Sequence, residues 1–242
     1  MSSGAEETCV AKDAAEMSRL AAELAARAIA AAIEARGVAR IALSGGGTPS
    51  EAYQRLAALD LPWAQTEWFW VDERAVAPDH PRSNYGAARR DLAAAHIPEE
   101  NFFRMEGESP DLAGAAARYE QVLRARFGVA AAAAFDVMTM GIGDDAHTAS
   151  LFPGTGAVHI EDRLVAAIPA QPDKGLEARL TLTAPVIREA RLKLLLARGA
   201  SKRAVIEQAK RPGPADEVPA RIVRGGTGRL VWLLDAAAAG AG

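Results

Sequence analysis

The chain has 242 residues, of which 50% are hydrophobic and 24% charged, a composition that suits one large or two small domains with a buried core. Its 28 basic and 31 acidic side chains give a net charge of −3, so the overall charge does not favour nucleic-acid or membrane binding. The single cysteine, Cys9, excludes an intrachain disulfide and is compatible with a reducing compartment.

The N-terminal segment has the pattern of neither a secretory signal nor a membrane span. Acidic residues fill the region where a signal would be apolar, and Glu23, Arg27 and Glu34 interrupt the alanine-rich run of residues 20–35. That run predicts a long helix that begins near Asp13 and ends at Gly37. We therefore expect a cytoplasmic protein in which residues 1–12 are a frayed tail.

A glycine-rich loop follows the first predicted strand, residues 38–43. It reads Ser44-Gly-Gly-Gly-Thr-Pro-Ser50 and leads into a predicted helix that runs to about residue 59. Backbone amides and the positive end of the helix dipole converge at such a junction, which favours binding of an anion such as phosphate. The loop lacks the lysine of a Walker A motif, and a flexible turn is the alternative interpretation.

Two later strands are predicted to end in titratable side chains. Residues 68–71 form an apolar run that ends in Asp72-Glu73-Arg74, and residues 135–140 lead through two glycines to Asp144, Asp145 and His147. Open α/β sheets bind their ligands beyond the carboxyl ends of strands, so both positions are candidates for a site. The alternative for the second is an ordinary glycine turn with a solvated histidine.

The remaining segments alternate between strand and helix patterns. With no repeat or linker long enough to divide the chain, residues 1–242 are expected to form a single α/β domain, with residues 236–242 as a second frayed tail. We predict a doubly wound, Rossmann-like, mostly parallel sheet with helices on both faces. Further strands are predicted at residues 101–105, 163–168, 178–183, 192–197 and 230–234. Helices are predicted at residues 83–95, 110–127 and 185–190, and a last one begins at about residue 202 and runs to about residue 210.

Several general motifs are excluded. Gly141-Ile-Gly143 and Ala146 formally fit a dinucleotide fingerprint, but Pro153 and Gly154 interrupt the helix that this fingerprint needs. No nucleophile-elbow sequence surrounds Ser44 or Ser150, and the histidines and the cysteine lack zinc-ligand spacing. We expect neither a cofactor nor a metal ion.

Seven segments together carry a resemblance to a known family. They are Ser44-Gly-Gly-Gly-Thr-Pro49, Val71-Asp-Glu-Arg74, Ser83-Asn84, the segment from Gly141 through His147 to Pro153, Arg179-Leu-Thr, Gly199-Ala-Ser-Lys202 and the last strand with Trp232 and Asp235. These segments resemble those of the 6-phosphogluconolactonase family over nearly the whole chain. The resemblance implies hydrolysis of 6-phospho-D-glucono-1,5-lactone to 6-phospho-D-gluconate in the oxidative pentose phosphate pathway, without a cofactor.

Two alternatives remain beside the lactonase. Glucosamine-6-phosphate deaminases are similar in several motifs, but a proton-transferring glutamate of theirs corresponds to Phe152 here. A non-catalytic regulator that binds a sugar phosphate is the other. The chain also departs from the family pattern at two positions: Gly47 replaces a common serine, and Ala146 replaces a glycine, which would strain the loop if that position needs a positive φ.

The residues suggest roles for a lactone hydrolase. His147 is expected to be the general base, oriented by Asp145 or Asp72, and Arg74 is expected to stabilise the carbonyl oxygen. The partner is a small phosphosugar lactone, and the protein is expected to be a monomer or a weak homo-oligomer. The substrate's phosphate is assigned to Ser44, Gly45, Gly46, Gly47 and Thr48, with Arg179 and Lys202 nearby.

Overall fold

In the computed structural model, residues 4–128 and 133–241 are described, and within them nine β-strands and seven α-helices alternate. The strands are β1 (Glu6–Ala11), β2 (Ala39–Leu43), β3 (Thr66–Trp70), β4 (Asp72–Arg74), β5 (Val137–Met140), β6 (Val165–Ile168), β7 (Arg179–Leu182), β8 (Leu192–Ala197) and β9 (Arg229–Asp235). The helices are α1 (Ala14–Arg36), α2 (Ser50–Ala57), α3 (Asn84–Asp91), α4 (Leu112–Phe127), α5 (Ala184–Glu189), α6 (Arg203–Lys210) and α7 (Ala236–Ala239). Short 3₁₀ turns span Trp63–Gln65, Ala93–Ala95, Glu99–Asn101, Ala157–His159, Pro172–Lys174, Ala200–Lys202 and Pro219–Arg224.

The strands of the described residues form two sheets. Six of them make a parallel sheet in the order β1-β9-β8-β5-β2-β3, and three make an antiparallel sheet in the order β4-β7-β6. The predicted α/β class with a mostly parallel sheet is confirmed. The prediction of one sheet is wrong, because the strands near the site form a sheet of their own.

The core lies on both faces of the parallel sheet, because successive side chains of a strand point to opposite sides. In β2, Ile41 and Leu43 pack in one buried cluster with Ile29 of α1. Between them, Ala42 belongs to a second buried cluster, which contains Leu123 of α4. Helices therefore cover both faces, and strands buried on both sides show the continuous apolar runs that the sequence displays.

The two tails expected to be frayed are ordered where the structure describes them, so this prediction is wrong there. Residues 6–11 form β1, which pairs in parallel with β9 from Glu6 opposite Leu230 to Ala11 opposite Asp235. Residues 236–239 form α7, whose first turn is capped by the side chain of Asp235. An edge strand with solvent beside it can carry charged residues, and this is why the segment lacks a strand pattern. Residues 1–3 and 242 lie outside the described residues.

The small antiparallel sheet starts where the chain leaves β3. The chain continues through Val71 into β4, which pairs with β7 so that Asp72 lies opposite Thr181 and Arg74 opposite Arg179. The predicted strand at residues 101–105 is also corrected, since it contributes only a single bridge between Phe102 and Trp68. Strands of three or four residues have too little periodicity to reveal their partners from sequence alone.

The order of the strands places two loops side by side. From β2 the chain crosses outward to β3 at one edge, whereas from β5 it crosses to β8 and β9 on the other side. Adjacent strands β2 and β5 therefore mark a topological switch point, where open α/β sheets leave a crevice for a ligand. The glycine loop follows β2, and the loop that carries His147 follows β5.

Candidate active site

A cleft of about 230 Å³ opens at the carboxyl ends of β2 and β5. Among the predicted site residues, Gly47 and Asp145 are the two that do not line its wall. The others meet there although they come from five different parts of the chain: Ser44, Gly45, Gly46, Thr48, Asp72, Arg74, His147, Arg179 and Lys202.

The glycine loop presents unused backbone donors. Within residues 4–128 and 133–241, the amides of Gly45, Gly46, Gly47 and Thr48 donate no hydrogen bond. The side chain at the helix entry is Pro49, so α2 has no side-chain cap either. Free N–H groups at the start of a helix combine with the helix dipole to favour anions, so the geometry of this loop suits an anion such as phosphate.

Ser44 anchors the loop to the sheet. Its amide donates to Thr139 Oγ1 at 2.9 Å, and its carbonyl accepts a hydrogen bond of 2.8 Å from the Tyr53 hydroxyl. Tyr53 is buried, and this burial raises the pKa of its hydroxyl to about 12, so the group remains a neutral donor. The backbone groups of Ser44 are thus used by the fold, and the free donors begin at Gly45.

Asp145 holds the imidazole of His147. The Asp145 carboxylate accepts hydrogen bonds from His147 Nδ1 at 2.6 Å and from the His147 amide at 3.1 Å. The side-chain hydrogen bond from His147 lowers the pKa of Asp145 to about 2, so the carboxylate is ionised at neutral pH and Nδ1 carries the proton. Nε2 makes no hydrogen bond in the part of the chain that is described. It is therefore available as a proton acceptor on a residue that lines the cleft.

The imidazole ring lies between a glycine and an aromatic ring. A Cβ atom on Gly143 would stand 2.1 Å from His147 Nδ1, so only glycine allows the ring to approach this closely. The imidazole also contacts Phe152, whose ring centroid lies 4.7 Å from the ring centroid of His147. These two contacts restrict the rotation of the imidazole and fix the direction of Nε2.

The loop around His147 is closed by its own hydrogen bonds. The Gly143 amide donates to the His147 carbonyl at 2.9 Å, and Thr148 Oγ1 donates to the Gly141 carbonyl at 2.9 Å. Ala146 has φ +66°, which is the left-handed conformation that favours glycine. The alanine that stands here in place of the family's usual glycine is therefore strained. Its carbonyl accepts a hydrogen bond of 3.0 Å from the Ala220 amide, which holds the strained turn in place.

Asp72 belongs to a buried network and does not contact His147 through a hydrogen bond. Its Oδ2 accepts from Ser150 Oγ at 2.6 Å, and its Oδ1 accepts from Asn84 Nδ2 at 3.1 Å. Arg179 Nη1 lies 3.8 Å from the same carboxylate. Of the two carboxylates that the sequence offers for orienting the imidazole, the hydrogen bonds favour Asp145.

Three cationic side chains line the cleft with different degrees of neutralisation. Arg74 Nη1 donates to the Arg82 carbonyl at 2.6 Å, and this hydrogen bond to a neutral group does not neutralise its charge. Burial lowers the pKa of Arg179, although nearby Asp72 partly offsets this effect. Lys202 Nζ donates to Asp144 Oδ1 at 2.7 Å and to the Ile142 carbonyl at 2.9 Å. The cleft can therefore attract an anion, but two of its cations already lie beside a carboxylate.

Neither a metal-binding cluster nor a membrane-spanning helix occurs among the described residues. In the described part of the chain, no group of three or more His, Cys, Asp or Glu side chains is placed to bind a metal ion. Among the same residues, no helix is long and apolar enough to cross a bilayer.

Comparison with known proteins identifies the family. Residues 12–232 match the sequence profile of the glucosamine-6-phosphate isomerases/6-phosphogluconolactonase family. The chain belongs to this family. It is 43% identical over 211 residues to a 6-phosphogluconolactonase of Nostoc sp. and 42% identical over 211 residues to one of Synechocystis sp., each match covering 86% of both chains. A 6-phosphogluconolactonase from Trypanosoma cruzi superposes with a TM-score of 0.86 at 30% identity, over 99% of this chain and 97% of the other. The predicted family and enzyme class are confirmed.

Three residues at or near the cleft cannot be recognised as site residues from the sequence pattern. Asn84 reads as part of a helix cap, yet it lines the cleft and its Nδ2 also donates to the Asp72 carbonyl at 2.9 Å. Ser150 reads as packing, yet it bonds the buried Asp72. Glu73 stabilises the start of α3, because its buried carboxylate accepts hydrogen bonds from the amides of Asn84 and Tyr85, each at 2.8 Å. Their position inside the family motifs is the only signal that marks them.

Proposed function

We propose that this protein hydrolyses 6-phospho-D-glucono-1,5-lactone to 6-phospho-D-gluconate, with His147 as the general base. One observation carries the proposal. His147 has its Nδ1 held by Asp145 at 2.6 Å and its Nε2 unpaired among the described residues, and it lines the same cleft as the free amides of the glycine loop. A base and an anion site in one cleft suit a substrate that carries both an ester and a phosphate.

The phosphate is bound first by the loop. Its oxygens accept hydrogen bonds from the free amides between Gly45 and Thr48, where the dipole of α2 adds favourable electrostatic energy. Arg179 and Lys202 add positive charge at the cleft wall. This binding holds the lactone ring over the loop that follows β5, so that its carbonyl lies within reach of His147.

The hydrolysis needs one water and one base. Nε2 of His147 takes a proton from the water as the water oxygen bonds to the lactone carbonyl carbon, and a tetrahedral intermediate forms. Its collapse breaks the bond between that carbon and the ring oxygen, which takes the proton back from the imidazolium. Asp145 stabilises the imidazolium in between, and Arg74 stabilises the negative charge on the former carbonyl oxygen. Positioned acid–base catalysis of this kind contributes roughly 10²–10⁴-fold.

Phe152 disfavours the deaminase alternative. Its side chain is buried, with its ring 4.7 Å from the ring of His147 and 5.5 Å from the Arg179 guanidinium carbon. A hydrocarbon ring therefore occupies the position next to the base where the deaminase chemistry needs a carboxylate to move protons. We expect no ammonia to be released from glucosamine 6-phosphate.

A rate measurement against a matched blank tests the proposal, because this lactone also opens without an enzyme. Freshly generated 6-phosphogluconolactone is followed with and without the protein, and the product is identified by NMR. Hydrolysis above the blank supports the proposal. Binding without turnover favours the regulator, and ammonia from glucosamine 6-phosphate favours the deaminase. Cytoplasmic location and a monomeric or weakly associating state stay predictions.

A further inference from the structure

We infer that Arg198 is an additional phosphate-binding residue of this site. The inference rests on the proposed function, since it adds one cation to the phosphate subsite formed by the glycine loop. Arg198 directly follows β8, at the carboxyl edge of the parallel sheet where the cleft opens, and its neighbour Ala197 lines the cleft.

The position of Gly47 brings the guanidinium to the loop. Arg198 Nη2 lies 3.7 Å from the point where a Cβ atom on Gly47 would stand, and among the described residues no other atom outside residues 46–48 lies within 4 Å of that point. Gly47 is also one of the residues whose amides are unused among the described residues. An anion bound to this amide would lie beside the guanidinium, with no side chain of residue 47 between them.

Arg198 is free to turn towards such an anion. It is exposed, and within residues 4–128 and 133–241 it makes neither an ion pair nor a hydrogen bond. Lys202, in contrast, must share its charge with Asp144 at 2.7 Å. Although Arg198 does not line the cleft wall, its long flexible stem can swing over the loop without breaking an existing interaction.

The charge of the substrate requires another cation. A phosphomonoester carries about −1.5 to −2 charges at pH 7. In the cleft, Asp72 lies beside Arg179 and Asp144 beside Lys202, which leaves Arg74 as the one lining cation without a carboxylate partner among the described residues. Arg74 is assigned to the carbonyl oxygen, so Arg198 supplies a cation for the phosphate that no carboxylate of the described residues neutralises.

The test is a steady-state comparison of Arg198→Gln with the wild type on the phosphorylated lactone. We expect KM to rise roughly tenfold with kcat close to that of the wild type, as for the loss of one charge-assisted hydrogen bond. Inorganic phosphate, used as a competitive inhibitor, should bind more weakly by a similar factor. Arg198→Lys should recover part of both losses. The control is Arg203→Gln, which removes an exposed arginine that pairs with Glu207 on α6.

The failures of the inference and of the proposed function are distinguishable. An unchanged KM and phosphate inhibition in Arg198→Gln, or an equal change in Arg203→Gln, overturns the inference while leaving the lactonase intact. Wild-type protein that does not exceed the blank overturns the proposed function. In that case calorimetric titration with 6-phosphogluconate still decides about Arg198, because weaker binding by Arg198→Gln supports the phosphate contact and equal binding contradicts it.

Discussion

Asn84 lies so close to the glycine loop that a Cβ atom on Gly45 would stand 1.7 Å from Asn84 Oδ1. The amide nitrogen of the same side chain donates to the Asp72 carbonyl at 2.9 Å. One buried asparagine therefore joins the glycine loop after β2 to the start of β4. Because Asn84 is buried, leaves no room for a side chain on Gly45 and bonds Asp72, it holds the glycine loop close to the acidic network.

Alanine at Gly45 should damage phosphate binding more than alanine at Gly47. A methyl group at position 45 must displace Asn84 or the loop, and we expect KM for the phosphorylated lactone to rise by about tenfold or more. Among the described residues beyond its chain neighbours, a methyl group at position 47 meets Arg198 Nη2 at 3.7 Å, which is an ordinary contact. Steady-state kinetics of the two variants measures the difference. Equal KM values would contradict the role given to the contact between Asn84 and Gly45.

Asp145→Asn should reduce kcat with little effect on KM. The substitution keeps the size of the side chain but replaces the ionised acceptor of His147 Nδ1, so the imidazolium loses its stabilising partner. We expect kcat to fall by roughly 10²–10⁴-fold, the range that positioned acid–base catalysis contributes. Asp144→Asn is the matched control, because Asp144 pairs with Lys202 and its removal can change only KM. A larger fall in kcat for Asp144→Asn than for Asp145→Asn would contradict the assignment of Asp145 as the residue that orients His147.

The same contact should contribute to stability in a defined pH range. The pKa of Asp145 is lowered from 3.8 to about 2 by the hydrogen bond from His147. Because the pKa in the folded state is depressed, the contribution is present above about pH 4 and is lost as the pH falls towards 2. It is below about 1 kcal/mol, since half of the carboxylate side chain is exposed. Urea unfolding of the wild type and Asp145→Asn should therefore differ more at about pH 5 than at about pH 3. A difference that grows on acidification would contradict this sign.

Ala146→Val should destabilise the protein much more than Ala146→Gly. At φ +66° an L-residue is strained by about 1 kcal/mol, and glycine removes this strain while losing a buried methyl group of similar value. The free energy of unfolding of Ala146→Gly should thus change by less than about 1 kcal/mol. Valine adds bulk and a branched Cβ to the same backbone, for which we expect a loss of about 2 kcal/mol or more. Urea denaturation measures both, and a valine variant as stable as the wild type would show that the turn is not strained.

The sequence predicted the parallel sheet because its strands are buried on both faces. The run of Leu192–Ala197 is apolar at nearly every position, and such runs identify strands without knowledge of their partners. β1 could not be identified in this way, since Glu6 and Glu7 are exposed at the sheet edge and only pairing with β9 makes the segment a strand. The small sheet was missed for a related reason, because its strands are short and β4 pairs with β7, which lies far from it in the sequence.

The site shows the same division between local and long-range information. The glycine loop and His147 were recognisable because the chemistry depends on residue types that stand close together in the chain. The carboxylate partner of His147 stayed open between Asp145 and Asp72, because only the folded loop shows which of the two accepts a hydrogen bond from Nδ1. Asn84 acquires its role only when α3 packs against the glycine loop.

The most direct test of the central claim is kcat of His147→Asn for 6-phosphogluconolactone, measured above a matched blank. The side chain is partly exposed, so the variant should keep its fold, as circular dichroism and thermal melting can verify. We predict a fall in kcat of roughly 10²–10⁴-fold. His159→Asn, which changes an exposed histidine away from the cleft, should retain the wild-type value. A folded His147→Asn variant with the kcat of the wild type would contradict the claim that His147 is the general base.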